Sequence, residues 1–305
     1  MISRSEKNKE IISDIELEKK NEKRKKRTIL IIKLSAIIIL VFIGTYFYTK
    51  YSSTTGIIVK EHRIKNEKIP DSFEGLKIVQ FSDLYYGSTI YEDEVKNLVK
   101  IINSRKPDIV LFTGNLVDKH YNLKLKEQEN LIKELSKIDT NIGKYAVTGR
   151  YDNDTFNTIM NQSEFKILDN EYDLVYEEDT SPILLIGLSS LLKEKRNLDK
   201  AYSYFKEETH NSNIYTISMM SETDDLDDNL SKYNNDLVVA GNSLNGEVNV
   251  FGHSLFTKKG SNKYKDEYYK VGKTKIYVSS GIGSPDLGFR LFARPSINFF
   301  RISKN

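Results

Sequence analysis

The chain of 305 residues reads as an α/β domain preceded by one N-terminal transmembrane helix. Three observations predict this. From Gly75 onward, short apolar runs alternate with segments of helical spacing, the pattern of an α/β fold. Thr28–Tyr48 is a 21-residue apolar stretch, TILIIKLSAIIILVFIGTYFY, with a single charge at Lys33. Four blocks each carry a hydrophobic strand into a loop with Gly or Asp: FSDLYYGS at 81–88, LFTGNLVD at 111–118, AVTGRYDND at 146–154 and AGNSLNGEV at 240–248. That is the shape of a site built at the carboxyl ends of sheet strands.

The N-terminal part is read first. Residues 1–27 hold ten Lys or Arg against six Asp or Glu, a basic cytoplasmic tail that is solvated or a frayed helix. A run of about 20 apolar residues crosses the hydrocarbon layer, so 28–48 is the membrane span. Lys33 can snorkel to the interface, and Tyr46 and Tyr48 fall where an aromatic belt sits. KRKKR at 23–27 precedes the span and only Lys50 closely follows it. The positive-inside rule then places the N-terminus in the cytoplasm and the remainder outside the cell membrane. No small-residue cleavage pattern follows, so an uncleaved signal anchor is preferred to a cleaved signal peptide. Lys23, Arg24, Lys25, Lys26 and Arg27 are candidates for contact with anionic lipid. The net charge is +3, concentrated in this tail, so no basic face argues for nucleic acid. The chain has no cysteine, which excludes disulfides, thiol catalysis and zinc–thiolate sites.

Residues 49–70 read as a juxtamembrane connector and 71–305 as the folded domain. Leu76–Phe81 is a compact buried strand. Val95, Leu98, Val99 and Ile102 follow helical spacing and predict a helix over 91–104. Pro107 separates it from the strand Ile109–Phe112. A second helix covers 124–138, Lys144–Val147 is a third strand, and a helix follows near 153–162 with Asp152 and Asp154 as candidate N-caps. The second half is richer in strands: Ile183–Leu188, Ile214–Met219, Leu237–Ala240, Glu247–Phe251, Ile276–Ser279 and Ile297–Ile302. DDLDD at 224–228 reads as a solvated acidic turn. TKKGSNKYKDEYYK at 257–270 reads as an exposed hairpin or loop.

Taken in order from 76 to 302, the segments KIVQFSDLYYGS, KPDIVLFTGNLVD, GKYAVTGRYDND, DLVVAGNSLNGEV and IYVSSGIGSPDLGFRLFARPSINFFRI resemble the calcineurin-like metallophosphoesterases, in their membrane-anchored or secreted bacterial branch. The resemblance implies a four-layer αββα sandwich of two mixed β-sheets. It also implies two divalent metals about 3.5–4 Å apart that clamp a phosphate and activate a hydroxide. Carried over residue by residue, Asp83 keeps the first carboxylate, but Tyr85 stands where the first histidine belongs. Asn115 replaces the bridging aspartate, Arg150 the asparagine ligand, and Tyr151 the histidine that assists the leaving group. Ser221 stands for a histidine after a strand in the second half, and Asn242 and Leu244 for the histidines of the Gly-His-Thr-His block. The four histidines, His62, His120, His210 and His253, fall on none of these positions.

The expectation is therefore a degenerate member: no catalytic residue assigned, no metal or other cofactor, and a binding, scaffold or regulatory role. The alternative is a divergent metal-dependent phosphoesterase acting on a phospholipid- or nucleotide-type ester. Arg150, Asp83, Asn115 and Asn242 are the candidates for binding a ligand, either a phosphate-bearing molecule or a protein. Arg150 has three readings: pairing with Asp83 and donating to Asn115, binding an anion, or facing solvent. Tyr85, Tyr86 and Tyr151 fill vacated volume or line a pocket. Asn242 and Asn245 are assigned to the turn backbone.

Overall fold

The computed structural model describes residues 4–48, 56–177, 181–206, 211, 213–286 and 288–304. The chain divides into two compact units, Met1–Thr49 and Lys50–Asn305. The first holds one helix, α1 (Arg4–Phe47), so the basic tail from Arg4 onward and the apolar stretch form a single helix. Its segment Ile15–Phe47 is long and apolar enough to cross a membrane. The large apolar side chains from Ile29 to Phe47 are exposed, as expected of a helix made for a non-aqueous solvent.

In the second unit the side-chain alternation of the strands builds the layers. Along β2 (Leu76–Phe81), Leu76 and Ile78 turn to one face and Val79 and Phe81 to the other. β3 (Ile109–Phe112) repeats this with Ile109 and Leu111 against Val110 and Phe112. β2, β3, β4 (Gly143–Ala146) and β5 (Phe165–Ile167) run parallel. Both faces of such strands must be covered, which is why they read as unbroken apolar runs. Helices α2 (Glu92–Asn103), α3 (Leu125–Leu135) and α4 (Asp154–Gln162) cover the outer face through Val95, Leu98, Leu131, Phe156 and Ile159.

The second sheet has the same logic. β6 (Glu171–Val175) pairs antiparallel with β7 (Ile183–Leu188), which runs parallel to β8 (Thr216–Met220) and β9 (Leu237–Ala240). Ile183, Leu185, Ile217, Met219, Leu237 and Val239 face the first sheet, meeting Ile78, Leu111, Tyr145 and Phe300 in the central core. Leu184, Ile186, Met220 and Val238 face outward beneath α5 (Leu198–Ala201) and α6 (Leu226–Lys232). A short hairpin of β10 (Asn249–Val250) and β11 (His253–Ser254) stands apart. β12 (Tyr268–Val271) and β13 (Thr274–Val278) complete the second sheet beside β9. β14 (Ser296–Ser303) returns to the first sheet beside β2. The expected four-layer αββα sandwich of two mixed β-sheets is the architecture found, and each sheet has six strands.

Several local expectations are corrected. Part of the stretch read as a juxtamembrane connector is β1 (Ile58–Lys65), paired in parallel with the whole of β14. Its buried Ile64 belongs to the central core, so the folded domain includes residues well before 71; residues 49–55 lie outside those described. The strand expected over Glu247–Phe251 shrinks to Asn249–Val250. The acidic turn at 224–228 mostly forms the start of α6, with Asp225 paired to Arg196. The segment 257–270 ends in an edge strand rather than a free loop. If β1 is integral, Ile64→Ala costs about 2–5 kcal/mol of unfolding free energy, read as a lower urea midpoint. A connector residue would leave that midpoint unchanged.

Candidate functional site

The loops that follow β2, β3, β4, β8, β9 and β13 meet at one end of the two sheets, and Asp83 is where several are joined. Its side chain has no exposed surface. Oδ1 accepts from Asn115 Nδ2 at 2.8 Å, while Oδ2 accepts from Ser82 Oγ at 2.5 Å and from the Asn242 backbone N–H at 2.8 Å. Its own N–H donates to Gly114 O, and its carbonyl accepts from Ile282 and Gly283. Burial pushes the Asp83 carboxyl up from its ordinary 3.8 to about 6, against the pull of these donors and of the Arg290 charge.

The backbone is shaped for this convergence. Asp83, Asn115 and Asn242 have φ of 53°, 60° and 63°, the left-handed region that Asp and Asn enter more readily than most residues. Tyr85 and Leu244 share it, at 46° and 53°, where a bulky side chain brings strain of roughly 1–3 kcal/mol. Two glycines permit the close approach. A Cβ on Gly149 would lie 2.4 Å from Asn115 N, and one on Gly241 would lie 2.9 Å from Asp83 Oδ2. Asn115 is fully buried, and its Oδ1 has no hydrogen-bond partner. Its amide N–H also lies 3.5 Å from Ser221 Oγ, at the end of β8.

Asp152 has a role other than the expected cap. The N-cap of α4 is Asn153, whose side chain accepts from Thr155 N–H, and Asp154 is the first helical residue. Asp152 instead accepts from the backbone N–H groups of Asn115, Gly149 and Leu116, each at 2.8 Å, and so clasps the loop after β4 to the loop after β3. Asn242 and Asn245 are likewise cross-links. Asn242 Nδ2 donates to Lys259 O and Ser261 Oγ, and Asn245 Nδ2 donates to Glu267. Leu244 is fully buried, with no polar atom to offer its surroundings.

Arg150 is not among the hydrogen-bond partners of Asp83. It lies half-buried on the wall of a cleft of about 320 Å³ shared with Tyr85, Lys119, Tyr151, Asn242 and Lys259. The Arg150 and Lys119 cations both stand over the Tyr151 ring, at 5.0 and 5.1 Å from its centroid. Tyr85 is buried beneath the same cleft, whereas Tyr86 joins the core, edge-on to Tyr91 and Tyr121. Of the histidines, His62 is packed against Tyr277 and Phe300, and neither His120 nor His253 is a hydrogen-bond partner of Asp83; His210 lies outside the described residues.

The arginine whose charge bears on Asp83 is Arg290, which sequence reasoning passed over. It is fully buried and donates to the carbonyls of Ser280, Gly283 and Ala293. Burial brings its guanidinium down to about 10, opposed by the charges of Glu247 and Asp83. Glu247 is itself buried, held by Lys258 Nζ and Ser284 Oγ, each at 2.5 Å. A second buried pair joins Arg196 to Glu222, the residue after Ser221. The only signal for Arg290 was its place in the glycine-rich closing segment. Chain order does not say which arginine that segment swallows.

Two outcomes follow from this geometry. Replacing Asp152 with Ala strands three buried backbone donors at about 1–3 kcal/mol each, so Asp152→Ala loses about 3 kcal/mol or more in denaturant titration, while Asp154→Ala stays within about 0.5 kcal/mol. Asp83 binds its proton more tightly folded than unfolded, so its contribution to stability falls as pH rises from about 4 to about 6. In chelator-treated buffer, the unfolding free energy of the natural protein minus that of Asp83→Asn drops across this window by on the order of 3 kcal/mol. A flat difference would contradict the burial effect.

Comparison with known proteins agrees with this geometry. The calcineurin-like phosphoesterase family matches residues 76–266. The uncharacterised metallophosphoesterase YkuE of Bacillus subtilis (strain 168) is 27% identical over 265 residues, covering 85% of this chain and 90% of that one. An uncharacterised metallophosphoesterase of Campylobacter jejuni is 28% identical over 277 residues, covering 88% of this chain and 68% of that one. A zebrafish (Danio rerio) transmembrane protein with metallophosphoesterase domain is 26% identical over 117 residues, 38% of this chain and 25% of its own. With its layered sheets, its strand-end loops and a family match across most of the folded domain, the chain belongs to the calcineurin-like phosphoesterases.

Proposed function

We propose that this protein is a membrane-anchored, extracytoplasmic member of the family that has exchanged metal-dependent hydrolysis for metal-free recognition of an anion. Its role is that of a binding, scaffold or regulatory module. The observation that carries the reading is the state of Asp83. Both oxygens of the one remaining ligand-type side chain are engaged by donors from Ser82, Asn115 and Asn242.

The donor set supports the same conclusion. Two divalent cations bring four positive charges, which must be met by carboxylates, imidazoles or several neutral oxygens. Here Asn115 turns an N–H toward Asp83, Leu244 has no lone pair, and Ser221 and Asn242 are neutral. Arg150 and Lys119 add fixed positive charge at the cleft. The residues present do not fit a dimetal centre. What they do fit is a phosphate or carboxylate, drawn by Arg150, Lys119 and Lys259 and bounded by Tyr85 and Tyr151, because the cations of the lining outnumber its two carboxylates, Asp118 and Asp286. Lys258 is held back by Glu247 and Asp286. The extracytoplasmic placement is supported by KRKKR preceding the apolar stretch.

The test uses the full chain, purified in detergent and incubated with Mn²⁺. Metal content after desalting, and hydrolysis of bis-p-nitrophenyl phosphate with and without metal, are measured together. We expect substoichiometric metal and no metal-dependent turnover. Stoichiometric transition metal with turnover that Asp83→Ala abolishes would overturn the reading in favour of a divergent phosphoesterase.

A further inference from the structure

The cleft holds two carboxylates among its cations, and Asp286 is the one aimed at a ligand. It stands in the loop after β13 on a fixed base. A Cβ on Gly283 would lie 2.4 Å from Leu84 O, so the loop is pressed onto the backbone just before Tyr85. Ser284 N–H donates to Thr89 Oγ1 at 2.9 Å, and its hydroxyl donates to the buried Glu247 at 2.5 Å. Pro285 then fixes its own φ, and Asp286 follows on the cleft wall. Its side chain is half exposed, with Oδ2 accepting from Lys258 Nζ at 2.5 Å. Oδ1 accepts from none of the described residues. The other carboxylate, Asp118, is buried and already accepts from the His120 N–H. Burial raises the Asp286 carboxyl, but the Lys258 hydrogen bond and the charges of Lys258, Lys119 and Arg150 outweigh it and hold the group below its ordinary 3.8. Asp286 is therefore ionised at neutral pH, and an ionised carboxylate only accepts.

An acceptor set among cations decides which anion enters. Among the described residues, Arg150, Lys119 and Lys259 have no carboxylate within ion-pair distance, so their N–H groups are left for a ligand. Four cations line the cleft against two carboxylates, an excess that a dianion matches. A dianion lying between those donors and Asp286 must suit both. One with acceptor oxygens alone sets its lone pairs against Oδ1, which repels it and leaves that oxygen unpaired. One that keeps an O–H donates it to Oδ1, while its other oxygens accept from Arg150 and the lysines. Such discrimination comes from the repulsive contact as much as from the attractive one.

We propose that Asp286 accepts a hydrogen bond from the ligand, and that the cleft thereby selects the hydrogen phosphate ion over sulfate and over fully ionised phosphate monoesters. This rests on the anion-binding reading of the cleft. The full chain, purified in detergent, is dialysed to equilibrium in buffer passed over chelating resin, at about pH 8, where a phosphate monoester is a dianion. Labelled phosphate, sulfate and methyl phosphate are compared. All three are tetrahedral dianions there, and only phosphate keeps a proton, so a general change in charge does not separate them. We expect the natural protein to bind phosphate about tenfold or more tightly than either of the others. Asn both donates and accepts, so in Asp286→Asn the three bind within about threefold of one another. Arg150→Gln weakens all three. Glu247 keeps Lys258 paired, so Asp286→Asn retains the urea midpoint of the natural protein. Equal binding of the three ions by the natural protein overturns the selection and leaves the anion cleft standing. Selectivity that survives Asp286→Asn overturns the assignment to Asp286. No binding of any of them at millimolar concentration overturns the anion cleft and this proposal with it.

Discussion

A buried carboxylate with no exposed surface has to be satisfied by its neighbours, because an unpaired charge in a low-dielectric interior costs several kcal/mol. Asp83 meets that demand with donors from the loop after β3, the loop after β9 and its own serine neighbour. The groups it draws together come from both sheets. Its carbonyl adds the loop after β13. The closure of this end of the sandwich therefore depends on one side chain. Asp152 repeats the device one loop away with three backbone donors.

The strain in these loops is informative about their origin. Asn and Asp tolerate left-handed backbone, but Leu244 and Tyr85 gain little from it. Both are held against close neighbours: a Cβ on Gly281 would lie 2.5 Å from Leu244 Cδ2, and one on Gly283 would lie 2.9 Å from Tyr85 Cβ. Such a frame is useful where side chains must converge on a small volume. Under the proposed function, that volume is now held by hydrogen bonds and by the buried Arg290 and Glu247, and the positive charge has moved outward to Arg150, Lys119 and Lys259 at the cleft.

Much of the scaffold was legible because buried parallel strands must be apolar on both faces. Leu76–Phe81, Ile109–Phe112, Ile183–Leu188 and Leu237–Ala240 are found with the bounds read from the sequence. The edges were not. β1, IVKEHRIK, and β6, EYDLV, are lined by one neighbour each and carry charges among their apolar residues, so they resemble connectors. Asn153 was passed over as a cap because three polar residues in a row offered themselves, and only the turn into α4 selects among them. The two arginines present the same difficulty. Arg150 stands in a recognisable block yet lines an open cleft, while Arg290, in the closing segment, is buried near Asp83.

By itself the sequence determined the periodicities, the glycine-bearing strand ends, the apolar N-terminal helix and the chemical types available at the site. These are local or compositional properties, and the absence of imidazole from the four strand-end blocks needs no coordinates to be seen. Only the tertiary structure decided which polar groups lie within 3 Å of Asp83 and which arginine is buried near it. The contacts to Asp83 run from its own neighbour Ser82, through Asn115 at 32 positions along the chain, to Asn242 at 159 positions and after a strand of the other sheet. They are settled by how the layers pack, and no spacing along the chain encodes them.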